Sequence, residues 1–172
     1  MAMSMDYAQM VEGCRRRDPK AQRALYDAVS QMSMGICMRY AQGRDEAQDM
    51  MQDGFIKVFE RIGSLNDADS LVGWVRNIMV NTCIDYHRRR RHWIPIDEVE
   101  EPMSNLDIDP FATEEIVAAL QQLRPAQRTV FNLCEVEGYK QDEVAKRLKI
   151  NTLLVRVTLC RAKDELRKKL TK

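Results

Sequence analysis

Apolar positions recur at three- and four-residue steps through most of residues 6–92, the spacing of one helix face, and no convincing strand alternation interrupts them. Asp18-Pro19 is a helix-start signal, because proline fits the first helical turn. Beyond it Ala21, Leu25, Ala28, Val29, Met32, Ile36 and Tyr40 form one apolar face, with Gly43 as the expected stop. A second helix opens at Asp45, turns Met50, Met51, Phe55, Val58, Phe59 and Ile62 inward, and stops near Gly63. A third runs from Ser70 to about Arg91, with Leu71, Trp74, Val75, Ile78, Met79 and Thr82 along one side. These stripes, methionines included, are read as core packing.

The period is lost from Trp93 to about Ala112, where Pro95, Pro102 and Pro110 stand among Ser104, Asn105 and repeated Asp. Proline removes a backbone donor and disfavours helix in the residue before it, so this stretch is read as a tether. Helical spacing returns at Thr113, with Ile116, Val117, Leu120 and Leu123 on one face. Pro125 opens a further helix with Val130, Leu133 and Val136 inward. Then come Glu137-Gly138-Tyr139, a helix from Gln141 to Leu148, the turn Lys149-Ile150-Asn151, and a last helix from Thr152 to about Leu170. Two helices joined by a three-residue turn give a helix-turn-helix outline. The expected fold is all-α: two small helical domains, 1–92 and 113–172, joined by an acidic, proline-containing linker over 93–112.

The chain's 172 residues exclude a large enzyme, and no apolar run reaches the length of a membrane-spanning helix. The first residues carry no basic stretch followed by an apolar one, so no secretory signal is expected. Cys14, Cys37, Cys83, Cys134 and Cys160 are odd in number, scattered and without a CxxC pair, which suits free thiols in a reducing cytoplasm. Cys83 and His87 could share a helix face but have no further ligands, so no metal is expected. Neither a Gly-rich phosphate loop nor a nucleophile–base pair stands out; no enzyme activity, cofactor or small-molecule substrate is expected.

A net charge of +1 argues at first against a nucleic-acid binder. Divided by segment, the balance changes. Residues 1–92 carry 14 basic and 12 acidic groups (+2), 93–124 one against eight (−7), and 125–172 twelve against six (+6). The third helix ends in Arg88, Arg89, Arg90 and Arg91, between Tyr86 and Trp93. A helix C-terminus is satisfied by one or two cations; four beside aromatic rings suit phosphate contact with base stacking.

Residues 47–59 fit the spacing AxDxxQxxFxxxF, and this segment resembles one found in the extracytoplasmic-function (ECF) group of bacterial sigma factors. The resemblance implies docking on the clamp helices of core RNA polymerase, with Asp49, Gln52 and Asp53 as exposed polar contacts. Residues 73–89 are similar to the family's W-[IL]-x-x-I-x-x-N-x-x-x-D-x-x-R-R pattern, which engages and helps melt the −10 promoter element. It implies −10 DNA contacts by Trp74, Arg76, Asn77, Asn81, Tyr86, Arg88, Arg89, Arg90 and Arg91. Asparagine can serve a base edge and arginine the backbone. In the second domain, 123–131, 137–145 and 161–166 resemble the family's LPxxxRxVF, EGxxxxEIA and RARxxL segments. That implies seating on the polymerase flap and −35 contacts by Arg156, Val157, Thr158 and Arg161.

One departure stands out. Where family recognition helices carry a glycine-threonine pair, this chain has Leu153-Leu154, and the usual hydroxyl position is Val157. With Val155, Leu159, Ala162, Leu166 and Leu170 as the core stripe, Leu153, Val157 and Cys160 fall near the opposite side. The patch reads as thymine-methyl contact, as a hydrophobic partner site, or as the mark of a slightly rotated helix.

The sequence thus points to a cytoplasmic ECF-type sigma factor with core RNA polymerase and promoter DNA as partners, an anti-sigma factor as a further one, and no membrane insertion. A stand-alone helix-turn-helix regulator, or a sigma-like interaction protein with altered −35 reading, remain the alternatives.

Overall fold

A computed structural model describes residues 6–90 and 113–170; Arg91, His92, Trp93 and the linker expected over 93–112 lie outside them. Among the described residues every regular element is helical. The chain divides into two compact units, Met1–Cys37 with Arg44–Cys83, and Met38–Gly43 with Ile84–Lys172.

The first unit contains α1 (Tyr7–Arg15), most of α2 (Pro19–Tyr40), α3 (Arg44–Arg61) and most of α4 (Leu71–Arg89). Pro19 opens α2, as its fixed φ allows. The apolar stripes set the core: Ala21, Leu25, Val29 and Ile36 of α2 bury with Met50, Phe55 and Val58 of α3 and with Leu71, Val75 and Met79 of α4. Four expected positions differ. Ala28 is exposed, because it sits at the edge of the α2 stripe rather than within it, and Met32, Phe59 and Trp74 are only half-buried. The helix at Tyr7–Arg15 lies in the stretch of helical spacing but was not delimited by it; Asp6 caps it, its carboxylate accepting from Gln9 N at 2.7 Å. It packs on short 3₁₀ turns at 62–64 and 68–70, and the Arg15 guanidinium donates to Leu65 O. Gly54 allows α3 to approach α4: a methyl group there would overlap Met79 Sδ.

The second unit combines the ends of α2 and α4 with α5 (Thr113–Gln121), α6 (Pro125–Phe131), a π-helical turn (Asn132–Val136), α7 (Gln141–Leu148) and α8 (Thr152–Leu170). The helix expected to continue from Pro125 through Val136 thus changes pitch after Phe131. At the centre lies Arg128, 1% exposed. Its guanidinium donates to Leu120 O (2.9 Å), Tyr40 O (2.8 Å), Gln121 O (3.1 Å) and Leu123 O (2.8 Å). Tyr40 O, Leu120 O and Gln121 O stand at the C-terminal ends of α2 and α5, and Leu123 O just beyond α5, where i+4 donors run out and the helix dipole favours a cation. Asn132 Nδ2 bonds Arg39 O and Arg128 O, and Gln121 Nε2 bonds Met38 O, so three successive carbonyls at the end of α2 are capped by side chains. His87, 5% exposed, places Nε2 2.8 Å from the same Tyr40 O; because a carbonyl only accepts, Nε2 carries the proton.

Candidate nucleic-acid interface

On α3, Asp49, Gln52 and Asp53 follow at i, i+3 and i+4 and so share one helix face; the first two are exposed and Asp53 is half-buried. Beside Gln52 runs an apolar groove of about 670 Å³ lined by Tyr26, Met34, Phe55, Ile56 and Phe59. Ile56 is 56% exposed at its rim. The Tyr26 ring lies 4.6 Å from that of Phe55. This groove was not read from the sequence; its signal is Ile56, an aliphatic residue off the core stripe of its own helix.

Along α4, Asn77 and Asn81 are exposed one turn apart, while Trp74 and Arg76 are half-buried. Each carboxamide offers both donor and acceptor, and a mid-helix asparagine costs a few tenths of a kcal/mol relative to a good helix former. Past Cys83 the helix turns cationic. Arg88, Arg89 and Arg90 are exposed, and the Arg90 guanidinium stands 4.5 Å over the half-buried Tyr86 ring. Arg91 lies outside the described residues.

The helix-turn-helix is formed by α7, the turn at 149–151 and α8. Lys149 ends α7 in the left-handed region (φ 57°), and Ile150 N returns to Ala145 O at 3.0 Å. Asn151 then caps α8, its Oδ1 accepting from Leu154 N at 2.7 Å. Residues 144–163 hold six cations (Lys146, Arg147, Lys149, Arg156, Arg161, Lys163) and no acid. Of the four −35 residues expected, Arg156 is exposed, Thr158 and Arg161 are half-buried, and Val157 is buried at 3% exposure. The expectation for Val157 is therefore corrected: it faces protein. A single 100° stripe understates the buried arc here, because α8 packs against α5, α6 and α7 together. The apolar patch breaks up accordingly. Leu153 is 47% exposed, Leu154 and Cys160 are half-buried, and Leu170, expected in the core, is exposed.

Two polar residues central to the second unit, Arg128 and Asn132, carried no sequence expectation beyond the motif in which Arg128 falls. The available signal was their i, i+4 spacing in a helix whose neighbours Val130, Phe131 and Leu133 are apolar. Among the described residues no three His, Cys, Asp or Glu side chains gather as a metal site. Burial pushes the Cys134 thiol up to about 11, with Glu135 adding to the shift and Lys163 opposing it. It is protonated at neutral pH.

Comparison with known proteins gives two matches in chain order: residues 25–92 to the Sigma-70 region 2 model and residues 113–166 to the Sigma-70, region 4 model. The chain belongs to the ECF sigma factors. It is 27% identical over 138 residues to RNA polymerase sigma factor SigV of Bacillus subtilis, which covers 80% of this chain and 83% of that one. To the RNA polymerase sigma-H factor of Pseudomonas aeruginosa it is 26% identical over 178 residues, 94% and 92% of the two chains. The ECF RNA polymerase sigma-E factor of Haemophilus influenzae is 24% identical over 186 residues, 99% and 98%. As a sigma factor the protein binds core RNA polymerase and promoter DNA and acts in transcription initiation. None of its described helices is long and apolar enough to cross a membrane.

Proposed function

We propose that this sigma factor docks on the polymerase clamp through Asp49, Gln52 and Asp53, and that α4 engages and opens the −10 element. Asn77 and Asn81 read base edges, with Trp74, Arg76, Tyr86 and Arg88 to Arg91 holding the strand and its phosphates. Residues 1–92 form the docking and −10 domain, 93–112 an acidic linker, and 113–172 the domain that seats on the flap and reads −35. In the latter, Arg156, Thr158 and Arg161 contact DNA. The protein works in the cytoplasm as a binding factor without enzyme activity, and an anti-sigma factor restrains it.

The observation carrying this reading is the pair of exposed asparagines one turn apart on α4, leading into an exposed cationic end. Exposed carboxamides add nothing to a core, whereas base edges need groups that both donate and accept. Transcription with purified core polymerase tests it. Asn77→Ala/Asn81→Ala should keep polymerase binding and lower promoter opening about tenfold, read by permanganate reactivity of thymines. Wild-type opening by that variant, or no association of the native protein with core polymerase, would overturn the assignment.

A further inference from the structure

We propose that Leu153 reads the C5-methyl group of a thymine in the −35 major groove and so sets a thymine preference at one base pair. The proposal rests on the reading that α8 enters the −35 groove. Recognition helices present their N-terminal residues to base edges. In α8 that end offers few side chains. Asn151 is committed to capping Leu154 N, Leu154 is half-buried and Val155 is buried, which leaves Thr152 and Leu153 turned outward.

Leu153 is 47% exposed, and Arg156 one turn later shares its face. Exposed Lys146 and Lys149 stand in the preceding helix and turn, and no acid occurs between 144 and 163. An exposed leucine in a cation-rich, acid-free segment fits a polyanion whose groove floor is partly apolar. Duplex DNA meets both requirements: phosphates answer the cations, and the thymine methyl is the one apolar group on a major-groove edge. Covering one methyl with a leucine side chain corresponds to a preference of about fourfold. Because Leu153 is exposed, truncating it leaves the core of α8 intact.

The test separates the methyl from everything else on the base. A −35 element is first selected from a randomised library by transcription with core polymerase, and each thymine in it is then replaced singly by uracil, which lacks only the methyl. The wild-type protein should lose about fourfold in initiation at one position and little elsewhere. Leu153→Ala should initiate equally on thymine and uracil at that position. Arg156→Ala should weaken all templates together while keeping the thymine-to-uracil ratio. No uracil effect at any position, or an effect unchanged in Leu153→Ala, overturns the proposal. A change confined to self-association in sedimentation also overturns it and gives the face to a second copy. Failure of the wild-type protein to initiate from any template is a different result: it removes the sigma-factor reading itself.

Discussion

Among the described residues of the first unit the largest fully buried side chains are Leu25, Val29, Ile36, Met50, Leu71 and Met79, and the buried polar residues are Ser33 and Thr82. In the second, Arg128 heads the buried set, with Gln127, Thr129, Asn132 and His87 around it. An apolar core is stabilised by area and volume, so many side chains of similar size serve equally well. A core built on a guanidinium needs its donors in place, because each carbonyl they satisfy is costly to strand. The same number of helices can therefore be held by a tolerant interior or by an exacting one.

The largest test of that difference is exchange of the central side chain. Arg128→Met keeps an unbranched apolar stem, two atoms shorter, and removes the donors; stranding its buried carbonyl acceptors should destabilise the second unit by about 3–5 kcal/mol in urea titrations. In the first unit, Met50→Leu should cost less than about 1.5 kcal/mol. Equal losses would erase the contrast. Next comes packing tolerance. Gly54→Ala forces Met79 to move its thioether, and we expect about 1–3 kcal/mol of destabilisation by thermal melting. A neutral result would show that even the close α3–α4 approach repacks.

A matched pair gives the control. Each unit ends a helix with a non-glycine residue in the left-handed region, Arg17 (φ 60°) after α1 and Lys149 (φ 57°) after α7. Arg17→Gly and Lys149→Gly should each stabilise by about 0.5–1 kcal/mol, whichever core lies beside them. A gain in only one would tie backbone strain to core chemistry. The last test concerns pH. The Cys134 thiol titrates at about 11 in the folded chain against 9.0 for its ordinary value. Its contribution is full below pH 9 and lost as pH rises towards 11, since the unfolded thiol ionises first. Cys134→Ala should flatten the stability profile across that window, with no counterpart in the mid-pH range.

Sequence spacing located α2, α3 and α4 because their interior is apolar and the period marks it. Its failures have physical causes. The bounds of α1 are set by its Asp6 cap and by tertiary contact rather than by its short stripe of Met10, Val11 and Cys14. Arg128 counts as polar in any hydrophobic pattern, although helix ends supply its acceptors. Val157 was misplaced because burial of a helix among three neighbours covers more than one stripe. Asp49, Gln52, Asn77, Asn81 and Arg156 are exposed, while Asp53, Trp74, Arg76, Thr158 and Arg161 are half-buried, a split that motif spacing does not encode. The groove beside Gln52 could not be read, since it depends on how two helices pair.

The acid-free stretch from 144 to 163 carries a thermodynamic consequence. DNA in solution is sheathed in condensed small cations, and every phosphate met by a protein cation frees one of them to the bulk. Lys163 is paired with Glu135 at 2.9 Å; if the other five engaged, the logarithm of affinity would fall with the logarithm of salt with a slope of about −4.5. The second unit's hold on a promoter would then be driven largely by the entropy of ions it never touches, and the ionic strength of the surroundings would tune it as strongly as the sequence of the DNA.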